Sequence, residues 1–356
     1  MTKKTTEIIS SGLARTTTIN DVAREAQVGK TSVSRYLNGE MDALSEELRK
    51  RIARAIHKLD FRPNQMARGL KRGRTRLVGM VVADITNPYS VEVMRGVEAA
   101  CQQHGYMLML CNSANELKLE QRYLELLTNY RVDGLVVNPI ALPEEDLALI
   151  TRTGVPVVLI DRRASRIKCD MVGLDNDQAA TLATQHLLDQ GYTAIHFLTE
   201  PIGLISSRQE RQHAMRMLVE ASAGKCSSVT SEVDLRQVES LDAALRLCLA
   251  NANTQRTAIL ASNGRMLLRV ALALRELGAE WPKDLGLLGF DDPEWAGLAG
   301  ADISSIRQPT FDIGHAAVEF LIQRIEGATT AARVLSFPGE LKIRGSSLNP
   351  ISQKKP

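Results

Sequence analysis

Aromatic residues are scarce in this chain of 356 residues, at 4% of the composition. This number of aromatic residues is too small for a protein that binds its ligands mainly by stacking them on aromatic rings. No apolar run approaches the ~20 residues that a membrane-spanning helix needs. The first 17 residues contain two lysines but no apolar segment or cleavage site of a signal peptide, so we interpret 1–17 as a polar tail and predict a cytoplasmic protein.

Metal-ligand and disulfide patterns are also missing from the sequence. The five cysteines form no CxxC pair, and neither they nor the six histidines show metal-ligand spacing. We therefore expect free thiols, no metal and no cofactor. The motifs GxSxG, HExxH, the phosphate-binding loop and a GxGxxG that opens a helix are absent too, which predicts that the protein is not an enzyme.

Positive charge is concentrated at the amino end of the chain. The whole sequence carries a net charge of +3, but residues 1–76 hold 17 Lys and Arg against 8 Asp and Glu, so the remainder is acidic overall. A small basic segment joined to a large acidic body is typical of a polyanion-binding module attached to a domain with another task.

Residues 18–62 have the pattern of three short helices. Thr18 can cap the first helix and Ser45 the third, and a three-residue turn ending in Gly29 precedes the second helix, Lys30 to Leu37. Two short helices joined by such a turn are typical of a helix-turn-helix, whose second helix enters the major groove of DNA. Arg35, which packing does not require, can donate two hydrogen bonds to a guanine edge.

From Leu77 onward, apolar strands alternate with amphipathic helices, which indicates parallel sheets covered on both faces. Because about 270 residues exceed the needs of one such sheet, we expect two subdomains. Polar residues follow several strands, and in such sheets ligands bind at the carboxyl ends of the strands. These residue types suit a hydroxylated ligand with a carboxylate. The predicted strands are 77–84, 106–113, 132–138, 156–161, 171–175, 194–200, 258–262 and 285–292.

Three stretches, TINDVAREAQVGKTSVSRYLNGE, LSEELRKRIARAIHKLDFRPNQMARGLKRG and VGMVVADITNPYS, resemble the lactose-repressor family of bacterial transcription regulators. The resemblance runs from about Thr18 to Ser346. It implies an all-α helix-turn-helix head followed by an α/β core of two doubly wound parallel-sheet subdomains, like that of periplasmic binding proteins. The implied DNA contacts in the head are Thr18, Lys30, Thr31, Ser32, Ser34, Arg35 and Asn38.

The resemblance also implies a hinge at 63–76 that becomes helical on DNA. A seven-residue helix that contains glycine is not stable alone, which agrees with folding on DNA. Leu70 matches a leucine that wedges into a base step of the minor groove, where unstacking is offset by closer contact with a kinked duplex. The implied hinge contacts are Asn64, Ala67, Arg68 and Leu70; without DNA, Leu70 could instead dock on the chain's own core.

For the core, the resemblance implies a ligand site between the subdomains. Ser90 stands where the family usually has a bulky aromatic residue, and Arg236 where some relatives place an aromatic lid. These departures favour a small anionic sugar over a purine or a neutral disaccharide. The implied effector contacts are Tyr89, Ser90, Asn138, Asp161, Arg162, Ser207, Arg211, Arg236, Asn263, Asp291 and Gln308.

The predicted organisation is a tail at 1–17, a head at 18–62, a hinge at 63–76, a core at 77–348 and a tail at 349–356. Within the core, about 77–175 and 306–335 form the N-terminal subdomain, and about 176–305 and 336–348 the C-terminal subdomain.

The function predicted from these features is a homodimeric repressor that binds a near-palindromic operator in double-stranded DNA. Its effector is expected to be a small sugar acid, because the sequence is similar to regulators of gluconate, 2-ketogluconate and 2-keto-3-deoxygluconate use. The alternatives are a neutral sugar or nucleoside as the effector, and a sugar-binding transport protein. The basic head and the missing signal peptide argue against the transport protein.

Overall fold

The computed structural model describes residues 17–62, 73–140, 153–162 and 169–349. These residues fall into two units that divide between Thr75 and Arg76. Within the described ranges, no helix is long and apolar enough to cross a lipid bilayer.

The first unit contains three helices, α1 (Ile19–Glu25), α2 (Lys30–Leu37) and α3 (Glu46–Lys58), with a short 3-10 turn at Met41–Ala43 before α3. Thr18 and Asp21 form a complete capping box at the start of α1. Each helix contributes one fully buried aliphatic residue to a shared core, and these are Val22, Val33 and Ile52. Burial of this common apolar face stabilises helices that are too short to persist alone.

The second unit begins with an N-terminal subdomain, whose elements are β1 (Leu77–Val82), α4 (Pro88–Gln103), β2 (Met107–Asn112), α5 (Leu117–Asn129), β3 (Gly134–Val137), β4 (Val157–Ile160), β5 (Asp170–Leu174), α10 (Thr310–Ile325) and β11 (Val334–Phe337). Its six strands form a parallel sheet in the order β11-β5-β4-β3-β1-β2. Helices α4 and α10 cover one face of the sheet through an apolar cluster, and α5 covers the other.

The C-terminal subdomain contains α6 (Asn176–Asp189), β6 (Ala194–Thr199), α7 (Ser206–Ala221), β7 (Ser227–Glu232), α8 (Val238–Ala252), β8 (Thr257–Ala261), α9 (Gly264–Glu276), β9 (Gly286–Phe290), β10 (Ser304–Arg307) and β12 (Glu340–Lys342), with 3-10 turns at Glu294–Leu298 and Gly345–Ser347. Its sheet repeats the winding of the first in the order β12-β10-β9-β8-β6-β7, with β12 antiparallel to β10. The sheet is again covered on both faces, so the predicted doubly wound architecture is confirmed.

The chain passes between the two sheets after β5, after β10 and after β11. The second and third passages lie at about 308–309 and 338–339, two or three residues beyond the boundaries expected from the sequence. Because the two sheets have the same strand order, the ends of β1 and β6, of β3 and β8, and of β4 and β9 occupy equivalent positions.

All eight predicted strands are present, but four further strands were not predicted. β7 (SSVTSE) and β12 lie at sheet edges and lack a continuous apolar run, and β11 is a short edge strand. β10 contains two buried serines, Ser304 and Ser305. Their hydroxyls donate to the Arg344 carbonyl at 2.9 Å and to Asp292 Oδ1 at 2.7 Å, so a polar sequence is stable inside the sheet.

Helices α4 and α10 touch backbone to backbone at two glycines. A Cβ added to Gly96 would collide with the carbonyl oxygen of Phe311, and one added to Gly314 would collide with that of Val93. Neither neighbour is a flexible side chain that could move aside. The two helices can therefore approach this closely only because both positions lack a side chain.

We predict that Gly96→Ala lowers the free energy of unfolding of the core by about 3 kcal/mol, because overpacking against backbone cannot be relieved by a rotamer change. Urea unfolding followed by circular dichroism measures the loss. The matched control is Gly297→Ala, where an added Cβ meets nothing within 4 Å. Equal losses for the two variants would contradict the tight crossing.

Candidate functional site

Helix α2 presents a polar face that the core of the first unit does not use. Lys30, Thr31 and Arg35 are exposed, whereas Val33 on the opposite side is completely buried. Ser32, Ser34 and Asn38 are half-buried, and Thr18 is exposed at the start of α1. The exposed positions i, i+1 and i+5 share one side of the helix, which is the arrangement needed to reach base edges and phosphates in a major groove.

The turn between α1 and α2 is fixed by a side chain from α3. Arg51 donates to the carbonyl of Ala26 at 2.7 Å and to that of Gln27 at 2.8 Å. Gln27 has a positive φ of 51°, so the turn requires this support at a residue other than glycine. Arg51 therefore orients α2 without belonging to its exposed face. The hinge residues Asn64, Ala67, Arg68 and Leu70 lie outside the described residues.

A cleft lies where the carboxyl ends of the two sheets face each other in the second unit. It encloses about 570 Å³ of space, counted out to its mouth and including open solvent there. The structure brings ten of the eleven predicted effector residues to its walls. They are Tyr89, Ser90, Asn138, Asp161, Arg162, Ser207, Arg211, Asn263, Asp291 and Gln308.

The eleventh predicted residue, Arg236, does not line the cleft, and that prediction is corrected here. It lies in the loop after β7, which is the outermost strand of its sheet. Its side chain is 86% exposed and pairs with Asp234 at 2.9 Å. A local ion pair at the sheet edge thus holds this guanidinium in solvent, away from the ligand cleft.

Four charged or amide residues of the cleft were missed from the sequence. Glu200 directly follows β6 and could have been found from the same strand-end rule that located its neighbours. Arg208 precedes Arg211 by one helical turn on α7, so helical spacing was the signal. The missed residues are Asn115, Glu200, Arg208 and Arg265; the cleft is also lined by Ala83, Asp84, Asn87 and Ser262.

Arg211 is buried in the cleft and held by neutral partners. Its Nε donates to Asn176 Oδ1 at 2.8 Å, its Nη1 donates to the carbonyl of Ser262 at 2.5 Å, and the guanidinium stacks on the Phe290 ring at 4.1 Å. Across the described residues, no carboxylate forms an ion pair with it within 4.0 Å. A buried guanidinium whose hydrogen bonds go to neutral oxygens can still pair with the carboxylate of a ligand.

Asp291 stands opposite this charge, directly after β9. Its Oδ2 accepts from the Gly264 amide at 2.7 Å and its Oδ1 accepts a short hydrogen bond from Gln308 Nε2. Desolvation in the cleft raises the pKa of this carboxyl, and the charge of Arg211 partly opposes the rise. Its φ of 81° matches the φ of 65° at Asp161, the equivalent residue after β4. Such left-handed backbone at two facing positions is a strain that functional sites tolerate.

Several buried polar atoms of the cleft have no hydrogen-bond partner among the described residues. Buried polar groups in folded proteins are nearly always paired, so a cluster of unpaired ones marks a place where a polar ligand can bind. They include both acceptors and donors, which suits the hydroxyl groups of a sugar. The atoms are Tyr89 Oη, Asn138 Oδ1, Arg162 Nε, Ser262 Oγ and Gln308 Oε1.

A head with an exposed recognition helix and a core with a polar ligand cleft together define a ligand-responsive DNA-binding regulator. Residues 18–64 match the family described as bacterial regulatory proteins of the lacI family, and residues 184–347 match the periplasmic binding protein-like domain.

Two curated relatives cover nearly the whole chain. The HTH-type transcriptional regulator PtxS of Pseudomonas aeruginosa is 43% identical over 93% of this chain and 95% of its own length. The HTH-type transcriptional regulator KdgR of Bacillus subtilis is 39% identical over 93% and 97%. The chain therefore belongs to the lactose-repressor family, and it is a DNA-binding transcriptional regulator and not an enzyme.

Solved structures show the same fold. The lac repressor dimer bound to operator and the anti-inducer ONPF has a TM-score of 0.81 at 21% identity, covering 94% of this chain and all of that one. The CelR–cellobiose complex has a TM-score of 0.68 at 27% identity, covering 93% of this chain and 99% of that one.

We predict that the wild-type protein loses stability relative to Asp291→Asn as the pH rises above 3.8, the ordinary pKa of the carboxyl. The raised pKa means that the folded state binds this proton more tightly than the unfolded state does, so the protonated form stabilises the fold and deprotonation removes that contribution. Urea unfolding at intervals between pH 4 and pH 7 measures the difference.

The control for this experiment is Asp234→Asn. Hydrogen bonds from Arg236 lower the pKa of Asp234 to about 2, below its ordinary value of 3.8, so its carboxyl is ionised in both the folded and the unfolded state above about pH 5. The difference in stability between this variant and the wild type should therefore stay flat from about pH 5 to pH 7. If the Asp291→Asn difference is equally flat, the carboxyl of Asp291 does not have a raised pKa.

Proposed function

We propose that this protein is a homodimeric repressor whose affinity for its operator is controlled by a small sugar acid bound in the cleft. The observation that carries the proposal is the Arg211 guanidinium, which is buried among neutral partners at the centre of the cleft. A ligand carboxylate supplies the charge that this site lacks, and the unpaired polar atoms around it accept and donate hydrogen bonds to hydroxyl groups.

The charge balance of the cleft supports an acid over a neutral sugar. Four arginines and four Asp or Glu residues line it, so full ionisation gives no net charge. Desolvation raises the pKa of Asp291, so this carboxyl takes up a proton more readily than an ordinary one. A monocarboxylate such as gluconate or 2-ketogluconate can pair with Arg211 and carries the hydroxyl groups that the remaining acceptors require.

A neutral sugar is the second candidate effector. The abundance of carboxylates in the cleft favours it, since carboxylates bind pairs of hydroxyl groups. The likeness to the CelR–cellobiose complex also favours it. Calorimetric titration of the purified protein with gluconate, 2-ketogluconate, glucose and cellobiose separates the two candidates, because only the first two carry a carboxylate.

On the DNA side, the proposal places α2 of each protomer in one half-site of a near-palindromic operator. Lys30, Thr31 and Arg35 read base edges or phosphates, and the basic segment up to residue 76 supplies sequence-independent affinity that falls with salt. The hinge residues Asn64, Ala67, Arg68 and Leu70 are assigned to the minor groove by family resemblance. Ligand binding and operator binding are linked reciprocally, with a coupling of about 1–3 kcal/mol.

We predict that Arg211→Ala weakens sugar-acid binding by about a hundredfold or more, because a buried charge-assisted contact is lost. Operator affinity without ligand should stay within about threefold of the wild type. Fluorescence anisotropy of labelled operator, with and without the acid, measures both quantities. Arg236→Ala is the matched control, since this arginine is exposed outside the cleft. A normal ligand response in Arg211→Ala would refute the assignment of the ligand arginine.

We also predict that Arg35→Ala lowers affinity for an operator selected from a random duplex library by about 1–3 kcal/mol, because one bidentate base contact is lost. Affinity for unrelated duplex should change less, so the ratio of the two affinities falls. Competition binding at two salt concentrations measures this ratio. Lys50→Ala on α3, whose ammonium pairs with Glu46 at 2.7 Å, is the control. An unchanged ratio in Arg35→Ala would show that this side chain reads no base.

A further inference from the structure

Glu200 is surrounded by three donors on its own side of the cleft. Its carboxylate accepts from Arg208 Nη2 at 2.8 Å and from Asn263 Nδ2 at 2.9 Å, and Arg265 Nη1 lies 3.6 Å away in an ion pair. The Glu200 side chain is only 15% exposed. This carboxylate therefore satisfies donors of three side chains that line the cleft.

Among the described residues that line the cleft, every arginine except Arg211 has a carboxylate within 4.0 Å. Arg265 contacts Asp84 of the N-terminal subdomain at 2.8 Å, and Arg162 Nε lies 3.4 Å from Asp161 Oδ2. Among the described residues that line the cleft, this leaves Arg211 as the guanidinium whose charge no carboxylate balances within 4.0 Å. Arg211 is therefore the arginine of the cleft that can pair with a ligand carboxylate, and Asp291, whose pKa desolvation raises, is the cleft carboxylate without an arginine within 4.0 Å in the described part of the chain.

We infer that Glu200 is a specificity-determining residue that restricts the cleft to ligands with a single negative charge. The inference rests on the proposed function and adds the charge class of the ligand. One carboxylate of a ligand pairs with Arg211. A second acidic group, whether carboxylate or phosphate, would have to share Arg208 and Arg265 with the Glu200 carboxylate and would be repelled by it.

The electrostatics around Arg208 point the same way. Burial lowers the pKa of this guanidinium, the charges of Arg162 and Arg211 lower it further, and the charge of Glu200 opposes the change. Arg162 and Arg211 thus lie close enough to Arg208 to repel it, and Glu200 is the carboxylate that offsets this repulsion most, followed by Asp161. Neutralising Glu200 would leave Arg208 without its hydrogen-bonded carboxylate, a place that the second acidic group of a dianion could take.

The test uses Glu200→Gln, which keeps the shape and an acceptor oxygen but removes the charge. Full-length wild-type protein and variant are titrated by calorimetry with gluconate, a monocarboxylate, and with glucarate, the dicarboxylate of the same carbon length. We expect the variant to bind glucarate at least about tenfold more tightly than the wild type does, beyond any change for gluconate. Asp234→Asn is the control, because it neutralises an arginine-paired carboxylate outside the cleft.

A second variant guards against a purely structural explanation. Glu200→Gln combined with Arg208→Gln restores the original charge count, so glucarate affinity should return to within about threefold of the wild-type value. Circular dichroism confirms that each variant is folded, and if Glu200→Gln alone is not, Arg208→Gln carries the test. That variant leaves the Glu200 carboxylate without its closest cation, so the ratio of gluconate affinity to glucarate affinity should rise at least about tenfold over the wild-type ratio. An unchanged ratio would overturn the inference.

The outcomes separate this inference from the proposed function. Gluconate binding by the wild type together with a glucarate gain in Glu200→Gln supports both. Gluconate binding by the wild type without a glucarate gain in Glu200→Gln overturns only the role of Glu200 in restricting ligand charge. If the wild type binds no sugar acid but the variant gains glucarate binding, the proposed effector is wrong and the role of Glu200 is supported. If neither gluconate binding nor a glucarate gain is seen, both the proposed effector and the role of Glu200 are wrong.

Discussion

The cleft depends on one constraint, the direction of the parallel strands. Every loop that leaves the carboxyl end of a parallel strand emerges at the same edge of its sheet, and these edges of the two sheets face each other across the cleft. Residues far apart in sequence, such as Asn138, Arg211 and Asp291, meet for this reason. The helices behind them supply the apolar clusters that keep both edges in place.

Once these polar groups share a poorly solvated space, their charges must be balanced locally. Ion pairs in such surroundings are strong, and an unpaired charge is costly. The cleft meets this requirement with pairs at Arg208–Glu200, Arg265–Asp84 and Arg162–Asp161. Arg211 uses neutral oxygens and an aromatic face instead. Its charge is stabilised without being cancelled, which keeps it available to a bound anion.

Much of this arrangement could be predicted from the sequence because its signals are local. Apolar runs located the central strands, capping residues located α1 and α3, and the polar residue after a strand located Asn138, Asp161 and Asp291. β10 could not be found in this way, since its serines are buried only because distant groups such as the Arg344 carbonyl and Asp292 accept their hydrogen bonds.

The errors within the site have the same origin. Arg236 has the residue type and the neighbourhood of a ligand contact, but it follows an edge strand and pairs with Asp234, which only the sheet order reveals. Arg208 pairs with Glu200 and Arg265 pairs with Asp84. These pairs form only in the folded protein, so the sequence did not identify the two arginines as cleft residues. Spacing along a chain identifies candidates for a site, whereas the pairing of their charges depends on the folded geometry.

The glycine crossing of α4 and α10 has a mechanical consequence for the cleft. Tyr89 and Ser90 begin α4 at the cleft wall, and Gln308 lies just before α10. The two helices meet through backbone atoms at Gly96 and Gly314, so at these two points no change of side-chain rotamer can absorb a displacement. A shift at the cleft wall would therefore move both helices together and be transmitted toward the opposite end of the subdomain.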